Sequence, residues 1–157
     1  MNDDHLGIYL NDHLAGATVG LDLAKRTLRE NHGTTFAPLL EKLTAEIGDD
    51  RETLQQVMAR LGIPPSRIKV AAAWAAEKLG RLKLNGQLRG YSPLSRLLEL
   101  EGLMIGIDGK RALWLSLDQL SDRRLAEFDF QQLAADATSQ RKRLEPSRLA
   151  AARDALR

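Results

Sequence analysis

Between residues 36 and 61 the chain sets apolar side chains at alternating steps of four and three: Phe36, Leu40, Leu43, Ile47, Leu54, Val57 and Leu61, interrupted once, at Asp50. Only an α-helix, with about 3.6 residues per turn, gathers such positions into one stripe. A stripe of that kind must be buried against similar stripes, so the segment predicts a helix bundle. Residues 5 to 31 repeat the pattern with Leu10, Leu14, Ala17, Leu21, Ala24 and Leu28, and Asn31-His32-Gly33 closes that helix. Thr34 or Thr35 can cap the next helix, with Pro38 in its first turn. Gly62-Ile63-Pro64-Pro65 stops it.

The remaining segments read the same way. Ser66 caps a shorter helix carrying Ile68, Ala72, Ala75, Leu79 and Leu82, with Trp74 off its stripe. Ser92-Pro93 opens another, which contains Gly102, Gly106 and Gly109. Glycine inside a helix costs roughly 1 kcal/mol relative to alanine, so these positions, like Gly16 and Gly20 in the first helix, predict close approach to a neighbour. The last helix carries Phe130, Leu133, Ala137, Gln140 and Leu144, and Pro146 is expected to kink it or split off its end. The expectation is one domain over 1–157, with helices at about 5–31, 35–61, 66–84, 93–118 and 124–145 and an extension at 147–157. The long helices form an up-and-down bundle with a longer crossover between the second and the fourth.

Composition agrees with that reading and removes several classes of function. Leu, Ala and Arg dominate while aromatic residues make up 4%, the balance of helix and not of sheet. The absence of cysteine excludes disulfides, zinc-thiolate sites and a cysteine nucleophile. No stretch offers the roughly 18 uncharged apolar residues of a membrane span. The acidic start MNDDHLGIYL lacks the basic region of a signal peptide. A cytoplasmic protein with no membrane partner is the simplest expectation.

Polar residues that fall on apolar stripes are the candidates for chemistry. Asp50 continues a leucine stripe, with Glu46 one turn before it. On the helix from Pro93, the series Leu98, Glu101, Ile105, Asp108, Ala112 and Leu115 is read as core-facing and would bring in two more acids. His13 flanks the apolar face of the first helix, and Asp12 points away from it. Buried carboxylates need a positive partner, and Arg111, Arg141 and Arg143 are at hand. A polar network without metal is therefore the first reading, with Asp50 predicted to pair with a basic or polar group on another helix, an arginine or His13 before others. No nucleophile triad or phosphate-binding glycine loop is evident, so catalytic residues are not assigned.

The segment Phe36, Leu39, Leu40, Leu43, Glu46, followed by Asp49-Asp50, resembles the second helix of ferritin-like diiron proteins. The chain is also similar to an uncharacterised bacterial branch of that superfamily through YLNDHLAG at 9–16, AAAWAAEKLGRLKLNG at 71–86 and YSPLSRLLELEGL at 91–103. The resemblance implies a ferritin-like antiparallel four-helix bundle with one extra shorter helix between the second and third long ones. It also implies a ligand set that this chain holds only in part. Asp49 stands three residues after Glu46 where the family has a histidine, Ala137 and Gln140 replace a glutamate and a histidine, and Glu101 is the clear match.

Two functional readings compete with a metal-free interaction or assembly module, for which no cofactor is expected. One is an atypical site for iron or another divalent metal built from His13, Glu46, Asp50 and Glu101. The other is a nucleic-acid surface on the basic run Arg67, Lys69, Lys78, Arg81, Lys83, Arg89 and Arg96, which includes one acid, Glu77. No nucleic-acid motif accompanies that run, so it ranks below the others. Trp74, with Tyr91, is expected at a contact with another subunit or a covering loop, which would make the protein a homo-oligomer.

Overall fold

The computed structural model describes residues 3–66 and 90–157. It contains α1 (Asp3–Glu30), α2 (Ala37–Leu61), α3 (Pro93–Asp118), a 3-10 turn (Arg123–Leu125) and α4 (Phe130–Leu156), with no strand among the described residues. The shorter helix expected at 66–84 lies outside the described residues apart from Ser66, and so does Trp74. No helix among the described residues is long and apolar enough to cross a membrane.

Local sequence explains the helix ends. Gly62 closes α2 in the left-handed conformation at φ 72°, and Gly33, at φ 78°, follows α1. Ser92 caps α3 by accepting the Ser95 N–H, and Asp129 caps α4 by accepting that of Gln132. Three boundaries differ from expectation. Neither Thr34 nor Thr35 caps α2, whose N-cap is Phe36 with no side-chain bond. The segment near Arg124 forms only the 3-10 turn, because Asp122 caps it and holds the Arg124 side chain as well. Pro146 does not split α4, which runs on to Leu156. Pro146 is exposed, so the carbonyl of Lys142 that loses its partner faces water.

Cross-helix contacts fix the directions. Arg51 meets Thr18 and Gly7 approaches Ile63, so α1 and α2 are antiparallel. Arg26 meets Glu99 and Leu23 meets Gly102, which sets α1 antiparallel to α3. Glu46–Arg143 and Asp50–Gln140 join α2 to α4, and Asp108–Arg141 and Glu101–Arg148 join α3 to α4, both antiparallel. Each helix thus lies against antiparallel neighbours, while α2 and α3 run in the same direction. The end of α2 and the start of α3 are at opposite ends of the bundle.

The core divides into two apolar clusters. One holds Leu40, Leu43, Ile47, Leu100, Ile107 and Leu144, and the other Leu10, Leu54, Met58, Leu113, Trp114 and Phe130. Asp50 falls between Ile47 and Leu54 on α2, and Lys110 falls between Ile107 and Leu113 on α3. A polar layer therefore separates the two clusters.

The series on α3 read as core-facing proves to be the outer face. Leu98 is 39% and Ile105 73% exposed, and Asp108 and Ala112 are exposed as well. The buried positions are Leu97, Leu100, Leu103, Met104, Ile107, Leu113, Trp114 and Leu117. This helix is apolar around most of its circumference, so two series one residue apart satisfied the same periodicity. Burial went to the one that includes the largest side chain, Trp114.

The glycines also behave differently from expectation. A Cβ at Gly102 would lie 3.1 Å from Leu23 Cδ2, but at Gly16, Gly20, Gly106 and Gly109 it would meet nothing within 4 Å. Only Gly102 marks a close approach. Gly106→Ala is therefore expected to raise stability by about 0.5–1 kcal/mol, and Gly102→Ala by less because Leu23 must move. Urea unfolding midpoints of the two variants check this order.

Candidate functional site

The polar layer is built by three helices. The Lys110 ammonium on α3 donates to Asp50 Oδ2 on α2 and, at 2.5 Å, to Gln140 Oε1 on α4. Gln140 Nε2 donates to Asp50 Oδ2 at 3.1 Å, which closes a triangle. The Asp50 and Lys110 side chains are only 10% and 14% exposed. An aspartate on a leucine stripe is tolerated because a cation and an amide meet it there. Asp50 does face a basic group on another helix; the partner is Lys110, not the arginine or His13 that its surroundings suggested.

The other acids go elsewhere. Glu46 binds Arg143 Nη2 at 2.6 Å, Glu101 lies 3.6 Å from Arg148, and Asp108 accepts Arg141 Nε at 3.0 Å. His13 is half-buried with its ring edge-on to Tyr9, the centroids 4.6 Å apart. Among the described residues no three His, Asp or Glu side chains converge as metal ligands. With Asp50 bridged by an ammonium and Glu46 by a guanidinium, the donor set does not fit a diiron centre.

A second buried carboxylate, Glu99, escaped the sequence reading. Arg26 Nε lies 3.1 Å from its Oε1, while Tyr91 O–H donates to Oε2 at 3.0 Å. Thr27 Oγ1 lies 3.1 Å from the same oxygen and 2.8 Å from the Leu23 carbonyl, so its one proton is shared. Asn31 Nδ2 donates to Tyr91 Oη and to the Thr27 carbonyl, both at 2.8 Å, and Asn31 Oδ1 accepts Arg96 Nε at 2.6 Å. Burial, with the Glu99 charge adding to it, pushes the Tyr91 phenol well above its ordinary pKa. Both Tyr91 and Arg96 thus serve the interior, and Arg96 also covers the Phe36 ring at 4.7 Å. The other members of the basic run, Arg67, Lys69, Lys78, Arg81, Lys83 and Arg89, lie outside the described residues. Glu99 had a signal in the sequence: Ser95, Glu99, Gly102, Gly106 and Lys110 form a strip of four- and three-residue steps, of which Glu99 and Gly102 meet α1.

Beside the polar layer is a cavity of about 320 Å3. Among the described residues it is lined by Tyr9, His13, Gly16 and Gly20 of α1, Asp50, Arg51 and Leu54 of α2, and Gly102, Gly106, Lys110 and Trp114 of α3, with their neighbours. Trp114 is fully buried, and its Nε1 has no hydrogen-bond acceptor among the described residues. Arg51 Nε donates to Thr18 Oγ1 at 3.1 Å. Burial outweighs the nearby Asp12 charge and holds the His13 imidazole below its ordinary pKa of 6.5. On acidification the unfolded chain therefore takes up this proton first. The His13 contribution to stability is full above pH 6.5 and is lost as pH falls through the lower folded value. His13→Gln should flatten the rise of stability with pH over about pH 5–7, as measured by denaturant unfolding across that range.

No family model, curated protein or solved structure matches the chain. Over the described residues, fold and site together define a helical bundle whose buried acids, Asp50 and Glu99, meet basic side chains.

Proposed function

We propose that the protein is a ferritin-like bundle that works without metal, as a non-enzymatic interaction or assembly module. The carrying observation is the Lys110 ammonium, which sits between Asp50 and Gln140 where a metal-dependent relative would need ligands. A cation supplied by the chain itself satisfies the acid, so a divalent ion would have to displace it. Parallel α2 and α3, each flanked by antiparallel partners, match the order of bundles with one long crossover connection, the ferritin-like type. The assembly reading draws on the outer face of α3, where Leu94 (43% exposed), Leu98 and Ile105 share one side at helical spacing.

Two measurements test this. After incubation with Fe(II), Mn(II) or Zn(II) and desalting, the protein should retain substoichiometric metal by elemental analysis. Two ions per chain would instead favour the site at His13, Glu46, Asp50 and Glu101. Light scattering should give a multiple of 17.4 kDa, reduced toward that mass by Ile105→Glu. A monomer at high concentration would remove assembly from the reading.

A further inference from the structure

Of the large apolar side chains that stand exposed among the described residues, all but Ile8 lie on one face, the outer side of α3 and α4. On α3 the series Leu94, Leu98, Glu101, Ile105, Asp108 and Ala112 advances by steps of four and three, so its members share one stripe. On α4, Arg141, Glu145, Leu149, Ala152 and Leu156 do the same. The surface pairs Glu101–Arg148 and Asp108–Arg141 mark the seam between the two helices, and the stripes lie on either side of it. Ile105 and Leu156 are 73% and 72% exposed, and Leu149 is 43% exposed. A contiguous apolar patch of this kind marks a contact with another molecule. The described chain on either side of residues 67–89 is held on the other side of the bundle. Ser66 N–H donates to Asn11 Oδ1 at 2.5 Å, and Asn31 Nδ2 donates to Tyr91 Oη at 2.8 Å, both partners belonging to α1 in the opposite layer.

Size and charge identify the partner. From Leu94 to Ala112 the stripe is about 27 Å long at about 1.5 Å per residue, and two helices side by side are about 20 Å across, so each copy offers roughly 500 Å2. Two such faces bury about 1,000 Å2, the lower bound for a specific interface between proteins. The charges are divided between the helices. The α3 stripe carries the acids Glu101 and Asp108, whereas on α4 Arg141 and Arg148 outnumber Glu145, with exposed Lys142 and Arg153 beside them. A face that is acidic along one edge and basic along the other complements a copy of itself. Laid α3 on α3, two copies would set acid against acid; turned about a two-fold axis that runs along the helices, each α3 meets the partner's α4. Such an axis preserves the level along the bundle, which the Glu101–Arg148 pair fixes within one copy. Glu101 then faces the partner's Arg148, and Leu98, one turn earlier, faces the partner's Ala152.

We propose that the outer face of α3 and α4 is the contact between two copies of this chain, α3 of each seated antiparallel on α4 of the other about a two-fold axis parallel to the helices. The inference rests on the assembly reading above and gives it a partner and a geometry.

The chain has no cysteine, so single introduced cysteines report the arrangement directly. Leu98→Cys and Ala152→Cys, purified separately, are mixed and oxidised with copper-phenanthroline. The mixture should form a covalent dimer of twice 17.4 kDa at least about tenfold faster than either variant alone. Across the axis each cysteine lies about one helix spacing, roughly 8–10 Å, from its own copy, beyond the roughly 7 Å that a disulfide spans. Leu149→Glu, a surface change on α4 that should leave the urea midpoint in place, should bring the light-scattering mass to that of one chain. Self-linking of Leu98→Cys or of Ala152→Cys as fast as the mixture would refute the seating of α3 on α4. A multiple of the chain mass without mixed linkage, or one that persists in Leu149→Glu, would overturn the proposal and leave assembly to another surface; a monomeric parent chain would remove both.

Discussion

Replacing Lys110 by methionine is expected to lower folding stability by about 3 kcal/mol, seen as a reduced urea midpoint at unchanged m-value. The substitution keeps most of the stem but leaves Asp50 facing the Gln140 amide alone, inside a layer bounded by Ile47, Leu54, Ile107 and Leu113. The figure is at the low end for breaking a buried pair, about 3–5 kcal/mol, because neither side chain is fully sealed from water. Adding Asp50→Leu should restore most of the loss, since apolar groups of similar volume often replace a buried ion pair at little cost. A double variant as unstable as the single one would show that the pair does not act as a unit.

The second large effect is expected at Glu99. Glu99→Ala removes the acceptor shared by Arg26, Tyr91 and Thr27, and should cost about 2–3 kcal/mol by chemical denaturation. Thr27 keeps the Leu23 carbonyl and Tyr91 keeps the Asn31 amide, so the loss falls mainly on Arg26 and on the orphaned phenol proton. Glu99→Gln retains the shape and one acceptor oxygen, so it should recover about half of that. Equal stabilities for Glu99→Ala and the parent would mean that the network is held by Asn31 without the carboxylate.

Helix identity was legible because periodicity and punctuation agreed in α1 and α2: the leucine stripes were buried or, at Ala17, Leu21 and Leu28, half-buried, and Gly33 and Gly62 took the left-handed conformation. Asp50 was legible too, as a polar break in an otherwise unbroken stripe. Its partner was not, because lysine is ordinarily read as a surface residue, and nothing local to Lys110 indicates that its stem can reach across to α2. The face of α3 was ambiguous for a different reason. A helix apolar on most sides carries little directional information, and only tertiary packing chose between the Leu97 and Leu98 series. The cavity was hidden by a sound rule that failed: glycines facing one another usually mean contact, and here all but Gly102 face open space.

The parallel run of α2 and α3 has a kinetic consequence. The six residues Asn31 to Phe36 join α1 to α2, and the segment 119–129 joins α3 to α4, so each antiparallel pair is a local hairpin. Asp50 belongs to the first hairpin, whereas Lys110 and Gln140 belong to the second, 60 and 90 residues away along the chain. Local hairpins close before distant segments meet, because the entropy of loop closure rises with separation. The ion pair is thus a clasp that fastens only when the two preformed halves dock. Its removal should accelerate unfolding and leave the refolding rate nearly unchanged, giving Asp50–Lys110 the role of a kinetic latch on a bundle that assembles without it.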